Sequence, residues 1–289
     1  MPSRHEGAAY KRRHIPIARH GVDVSHPCGW GSRRFQLGDS GSVDKCLFPF
    51  NGEPMIMRII RQATIFNNVV IAAGVNYEKY VKMGLRVIKD SERLRGVLAG
   101  VDSASTLGGV LVFSPCDTPN VTVDVFKALM DNGPLSVFVM PNGLVETHLF
   151  RVDSDLLRGI MDIIANHGRE RLSDVFRLSS TVKFLSPLSH GLRLTYFLNV
   201  NRRSDLMGFN LSGPIVFTSD KELNWREPPL LRVLNGMGDP EEELWSEVKV
   251  YVREGIMTLA AHALKDLEHL SRGFGAVANM ILNSIGVEK

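Results

Sequence analysis

The sequence predicts an α/β protein: a doubly wound, mostly parallel sheet followed by a mainly helical C-terminal extension. Three observations carry this expectation. Short apolar runs alternate with segments of helical spacing up to about residue 131, the pattern of consecutive strand–helix units. The run Val110-Leu-Val-Phe-Ser114 is short and mostly apolar, as a strand buried on both faces must be. From Glu241 to Ser271 and from Ala276 to Ile285 the apolar residues fall at helical spacing.

Composition bounds the class. The chain has 289 residues, 44% of them hydrophobic, enough for a sizeable core in one large or two smaller domains. The net charge of +3, from 34 basic and 31 acidic residues, is too small to imply nucleic-acid binding. No apolar run reaches the roughly 18 residues of a membrane helix, and the N-terminus lacks the apolar core of a secretory signal. Three cysteines, Cys28, Cys46 and Cys116, form no CxxC pair, so neither a disulfide framework nor a zinc site is expected, and a reducing cytoplasm fits.

Residues 1–20 carry five basic side chains against one acid, Glu6, and read as a disordered tail or a phosphate-binding arm. Cys46 to Phe50 suggests a short strand, Asn51-Gly52 a tight turn, and Pro54 the entry to a helix through Ile59 and Ile60. Val69 to Ala73 and Leu85 to Ile88 are strands, with a short helix from Asn76 to Met83 between them. A helix of small residues opens at Gly96 and extends to about Ser105. The central strand follows, then a helix from about Thr122 to Asp131. Ser136–Met140 and Val145–Arg151 flank Pro141-Asn142-Gly143 and predict a hairpin at the sheet edge. Asp155 to Asn166 is an amphipathic helix, and Arg169 to Phe176 a shorter one. Val182–Leu185, Thr195–Leu198 and Pro214–Phe217 suggest strands. The expected divisions are a tail over 1–20, a main domain over 21–210 and the extension over 211–289.

Two stretches carry chemistry. Pro115-Cys116-Asp117-Thr118-Pro119 ends the central strand, because proline has no N–H to continue the ladder and restricts the residue before it. Asp117 therefore falls just past the carboxyl end of a strand, where open α/β sheets bind ligands, and its carboxylate could hold Mg²⁺ or cap the next helix. The second stretch is Gly29-Trp30-Gly31-Ser32-Arg33-Arg34, then Gly38-Asp-Ser-Gly-Ser42 and Asp44-Lys45. Glycines let backbone N–H groups approach a phosphate, and Arg33, Arg34 and Lys45 add positive charge.

In four places, in order, the sequence resembles the molybdenum cofactor guanylyltransferases, the MobA family of nucleotidyltransferases with a Rossmann-like fold. The stretch from Pro27 to Phe35, followed by Asp44-Lys45, is similar to the family's glycine-rich signature with its Asp-Lys. Gly84 to Asp90 followed by Gly96-Val-Leu-Ala-Gly100 is similar to its Asp, then Gly-Pro-Leu-Ala-Gly. Pro115 to Pro119 matches the segment whose Asp binds the metal. Asn199-Val-Asn201, with Asp205-Leu206, is similar to its Asn-Val-Asn-Thr-Pro-Glu-Asp-Leu. Trp30 stands in place of a glycine, Val22 to Pro27 makes a poor first strand, and the spacer from Arg34 to Lys45 is long. Ala72 replaces an Asn, Val97 a Pro, and Arg202-Arg203 a Thr-Pro.

The resemblance implies transfer of GMP from GTP to the phosphate of molybdopterin, with release of pyrophosphate, in the cytoplasm. It assigns catalysis to Arg34, Lys45 and Asp117. Nucleotide binding falls to Gly29, Gly31, Ser32, Lys45, Asp90, Gly96, Gly100 and Asp117, the acceptor to Asn199 and Asn201, and Mg²⁺ to Asp117. A molybdoenzyme or cofactor-insertion protein is the implied macromolecular partner. Two alternatives stay open. One is a relative with another base or acceptor, such as a molybdopterin cytidylyltransferase or a cobinamide phosphate guanylyltransferase. The other is a non-catalytic protein that binds nucleotide or cofactor through the same pocket.

Overall fold

The computed structural model describes residues 20–25, 44–200 and 211–287. In chain order its strands are β1 (His20–Ser25), the two-residue pair β2 (Pro49–Phe50) and β3 (Glu53–Pro54), β4 (Asn68–Ala73), β5 (Val87–Lys89), β6 (Val110–Phe113), β7 (Leu135–Val139), β8 (Val145–Asp153), β9 (Thr181–Leu185) and β10 (Lys221–Asn224). All but β2 and β3 join one eight-stranded sheet, ordered β10-β9-β7-β8-β6-β1-β4-β5. Strand β1 pairs in parallel with both β4 and β6, and β4 pairs in parallel with β5. β8 runs antiparallel to β6 and β7, while β7 and β9 are again parallel.

Helices cover the sheet. They are α1 (Met55–Gln62), α2 (Tyr77–Lys82), α3 (Val97–Ala104), α4 (Val123–Met130), α5 (Ser154–Asn166) and the single turn α6 (Asp174–Arg177). After β10 come α7 (Pro229–Leu234), α8 (Pro240–Glu254), α9 (Met257–Leu267) and α10 (Phe274–Ser284). Local chemistry sets these boundaries. Asp239 caps α8 by accepting from the Glu242 N–H, Pro240 occupies the first turn, and three glutamates there oppose the helix dipole. Gly255, in the left-handed region at φ 76°, ends α8 and separates it from α9. None of the helices is long and apolar enough to cross a membrane among the described residues.

Several expectations need correction. The hairpin around Pro141-Asn142-Gly143 forms, but it lies inside the sheet: β9 and β10 extend beyond it, and all five residues of β7 are buried. The Val22–Pro27 stretch, read as a poor first strand, overlaps β1, because a strand with partners on both sides satisfies its backbone whatever its side chains. Leu194–Phe197 is a 3-10 turn, not a strand: Phe197 packs edge-on against Phe138 instead of pairing its backbone. Residues 214–217 form no strand. The Val216 and Phe217 N–H groups both donate to the Pro141 carbonyl, and the last strand is β10. The predicted helix at 169–176 shrinks to α6, and Val252, expected on the buried face of α8, is exposed.

The C-terminal segment shares a hydrophobic cluster with the sheet: Leu244, Val248, Tyr251 and Leu259 pack with Val137, Phe150 and Val152. Its dock is ionic as well as apolar. The buried Arg177 guanidinium donates to both Glu247 oxygens (2.7 and 2.8 Å), to Asp266 (2.6 Å) and to Asp174 (3.1 Å). Arg169 bonds Asp174 and Asp266, and Arg171 bonds Asp266. Three arginines thus meet three carboxylates where α6, α8 and α9 converge. Removing one partner from such a group leaves buried charge uncompensated, at a cost of about 3–5 kcal/mol. Arg177→Met should therefore destabilise the protein by that order in urea unfolding. A double Arg177→Met/Glu247→Leu variant should lose less than the two single variants summed, and a loss equal to that sum would show that the pair is not coupled.

Candidate active site

The chain leaves β1 for β4 on one side and returns to β6 on the other, so the strand order reverses beside β1. In open α/β sheets ligands bind at such a point, outside the carboxyl ends of the strands. Asp117 follows β6 there and is buried. So is Lys45, in a 3-10 turn Lys45–Leu47 that opens with Asp44 capping the Cys46 N–H at 3.0 Å. The Lys45 Nζ lies 2.5 Å from Asp117 Oδ2, with side chains only 2% and 8% exposed. Tyr80 on α2 donates to Asp44 at 3.0 Å and helps fix the turn. The two residues expected to act on phosphates are thus in contact.

Asn199 reaches the same place. Its Oδ1 accepts from Thr118 Oγ1 at 2.8 Å, and its Nδ2 donates to Glu146 Oε2 at 3.3 Å. The Val200 N–H donates to the Asp117 carbonyl at 2.8 Å, tying the two segments together. Glu146, on β8, was not predicted as a site residue. Burial pushes its carboxyl up to about 7; the Asn199 hydrogen bond opposes this and the Asp117 charge adds to it. The available signal was a glutamate inside an apolar strand. Its partner Asn199 lies 53 residues away and becomes visible only in the fold.

Asp90 lies past the end of β5, three inter-strand spacings from β6, or about 14 Å. Its Oδ2 would stand 2.8 Å from a Cβ placed on Gly74, so a side chain there would push the carboxylate aside. Burial raises the Asp90 carboxyl to about 6. Gly96 caps α3 with φ 62° and is exposed, whereas Gly100 is buried within the helix. Asp90 and Gly96 therefore sit at the β5 side of the carboxyl edge, and Lys45, Asp117 and Asn199 at the β6 side. Gly29, Gly31, Ser32, Arg34 and Asn201 lie outside the described residues.

The cysteine expectation is overturned here. Cys46 and Cys116 form a disulfide across 70 residues, with their Cα atoms 5.3 Å apart. A search for CxxC pairs could not find it, because only the fold brings the 45–47 turn beside the end of β6. For Mg²⁺, the donor chemistry fits: Asp117, Glu146 and the Asn199 carbonyl offer hard oxygens, and Mg²⁺ takes few protein ligands and completes its shell with water and phosphate. No cluster of three or more His, Cys, Asp or Glu side chains occurs among the described residues.

A buried lysine–carboxylate pair thus sits at the reversal point of a mostly parallel sheet, the place where open α/β sheets bind ligands. Comparison with known proteins narrows the class. The model of the MobA-like NTP transferase domain matches residues 28–181. A probable molybdenum cofactor guanylyltransferase of Pyrococcus horikoshii is 31% identical over 189 residues, covering 62% of this chain and 93% of that protein. A molybdenum cofactor guanylyltransferase of Ralstonia nicotianae is 36% identical over 95 residues, 31% of this chain and 46% of its own length. The crystal structure of molybdopterin-guanine dinucleotide biosynthesis protein A from Archaeoglobus fulgidus shares the fold, with TM-score 0.51 and 20% identity over 65% of this chain and 95% of that one. The chain belongs to the MobA-like NTP transferase family and is a nucleotidyltransferase.

The raised Asp90 carboxyl has a measurable consequence. Below pH 4 folded and unfolded states both hold the proton. Between about pH 4 and 6 the unfolded chain loses it first, so this group lowers stability as pH rises through that window, and the penalty is constant above it. Asp90→Asn should match wild type in melting temperature near pH 4 and exceed it increasingly up to about pH 6.5. A difference that does not change with pH would refute the assignment.

Proposed function

We propose that this protein transfers GMP from GTP to the terminal phosphate of molybdopterin and releases pyrophosphate. The observation that carries the reading is the buried Lys45–Asp117 pair at the carboxyl edge of the sheet, in a chain whose similarity to the Pyrococcus horikoshii protein spans 93% of that protein. The transfer needs little covalent chemistry from protein groups. It needs reactants in line and negative charge neutralised.

Each residue has a role in this reading. Lys45 turns from Asp117 to the phosphates and neutralises charge on the leaving pyrophosphate, with Arg34 and the N–H groups of Gly29, Gly31 and Ser32. Asp117, assisted by Glu146, would hold Mg²⁺. When bound, the metal supplies charge neutralisation on the phosphates and polarises the α-phosphorus. Asp90 reads the guanine. Its half-buried carboxylate lacks compensation in the free protein, which suits it to accept from the two adjacent N–H donors of that base. The stretch Gly96–Gly100 brings backbone close to the same end of the nucleotide, and the 14 Å from β5 to β6 suits an extended nucleotide. Asn199 and Asn201 orient the acceptor phosphate. Two residues past Asp117, Pro119 opens on a cleft of about 420 Å³, also bounded by Arg58, Arg61, Asn120, Thr122 and Tyr196, which gives the acceptor a polar approach. The cytoplasm as the site of action, and a molybdoenzyme or insertion protein as recipient, belong to the same proposal.

The test combines binding and turnover. A nucleotide at about 100 times its dissociation constant stabilises its protein by about 2.7 kcal/mol. A Mg²⁺-dependent thermal shift selective for GTP over CTP, ATP and UTP is expected, with pyrophosphate released only when molybdopterin is added. Asp117→Asn should lower kcat by about 10²–10³. Asparagine is preferred to alanine because it keeps a partner beside the buried Lys45. Selectivity for CTP would instead indicate a cytidylyltransferase, and binding without turnover on any acceptor would indicate a non-catalytic relative.

A further inference from the structure

The disulfide lies one residue from each member of the ion pair. Lys45 precedes Cys46 and Asp117 follows Cys116, and both cysteines are fully buried. The two segments it joins differ in kind. Asp117 follows the central strand β6, and its carbonyl accepts from the Val200 N–H. Lys45 belongs to a three-residue turn with the local backbone bonds Leu47 N–H to Asp44 and Phe48 N–H to Lys45, and the Phe48 carbonyl accepts from the Met55 N–H of α1. In the free protein the ion pair itself pulls this turn onto β6. During the proposed reaction that attraction is given up, because Lys45 turns to phosphate and Asp117 to a cation. The covalent bridge then still ties the turn to the segment after β6, beside the Tyr80–Asp44 hydrogen bond and the apolar packing of Cys46 and Leu47.

We propose that Cys46–Cys116 is a positioning crosslink that holds Lys45 in register with Asp117 when their ion pair opens, and so makes nucleotidyl transfer sensitive to redox state. Reduction by a dithiol breaks the S–S bond. The dithiol gives up two electrons and two protons and closes its own disulfide, and Cys46 and Cys116 become thiols. The turn is then held by its apolar neighbours and by Asp44, and Lys45 samples positions away from the phosphates. The proposal rests on the transferase reading, and its test separates the two.

Full-length protein purified without reductant should show one thiol per denatured chain, because two of its three cysteines are bonded. Peptide mapping should link Cys46 to Cys116. Dithiothreitol-reduced protein and the Cys46→Ala/Cys116→Ala variant, each checked for fold by circular dichroism, should lose about tenfold or more in kcat, since misplacement by 1 Å can cost about 10²-fold. The KM for GTP should change far less than kcat, because the glycine loop and the base contacts remain. Reoxidation should restore wild type and not the variant. Acetylation of Lys45, read by mass spectrometry, should be slow in the bridged protein and accelerate several-fold on reduction. Three thiols in the untreated protein, kcat within twofold after reduction, or unchanged Lys45 acetylation would each overturn the proposal. If the variant does not fold, the reduced wild type decides. If the bridged protein transfers no nucleotide, the transferase reading fails, and Lys45 acetylation alone decides whether the bridge positions the lysine.

Discussion

The site depends on one topological constraint: β1 lies between β4 and β6, parallel to both. A parallel strand ends where its neighbours end, so the segments after β1, β4, β5 and β6 all open on the same edge of the sheet. That edge is where Asp117, Gly74 and Asp90 are found. The reversal beside β1 separates the connections that follow it. The Lys45 turn lies against the segment that follows β6 at this point. A register error in β1 would move none of these residues along the chain and would still dismantle the site.

The Lys45–Asp117 pair shows what the site does with charge. Burying two opposite charges removes their hydration, and mutual attraction repays this only when geometry is good and further hydrogen bonds assist. Such a pair is a modest source of stability but a useful store of specificity. On the proposed reading it keeps a cation and an anion dry until phosphates and a metal ion replace each partner. Glu146 adds to this balance. With its carboxyl raised to about 7, a second full negative charge beside Asp117 is disfavoured in the free protein, and any cation that enters makes it favourable.

What could be read from the sequence follows from how local each signal is. The end of β6 was legible because two prolines bracket Asp117. The helix at 123–130, the Asn51-Gly52 turn and the two long C-terminal helices were legible because their signals span a few residues. The Leu194–Phe197 segment misled, since its β-branched and aromatic residues suit a strand, yet no strand partner is left for them beside Phe138. Strand β10 was missed for the converse reason: Lys221-Glu-Leu-Asn224 is polar and earns its place only by pairing with β9. The disulfide, the Asn199–Glu146 contact and the Arg177 cluster join residues 70, 53 and up to 97 positions apart. Chain position alone carries no signal for such pairs.

The C-terminal helices bear on the site through one turn. Pro141-Asn142-Gly143 leads directly into Val145 and Glu146, and it is the turn onto which the C-terminal segment docks. The Asn142 amide donates to the carbonyls of Ser212 and Ile285. Thr258, at the start of α9, receives the Val145 N–H on its hydroxyl and gives its own N–H to the Gly143 carbonyl. Gly143 has φ 85°, and a Cβ there would stand 2.5 Å from Met257, so the turn and the helix exclude any side chain between them. The backbone that carries Glu146 is thus fixed from behind by residues far along the chain. The Arg177 cluster holds α8 and α9 against the same body. An extension that seems remote from the chemistry therefore sets the position of one wall of the site, and the stability of its dock and the placement of Glu146 are coupled through Thr258.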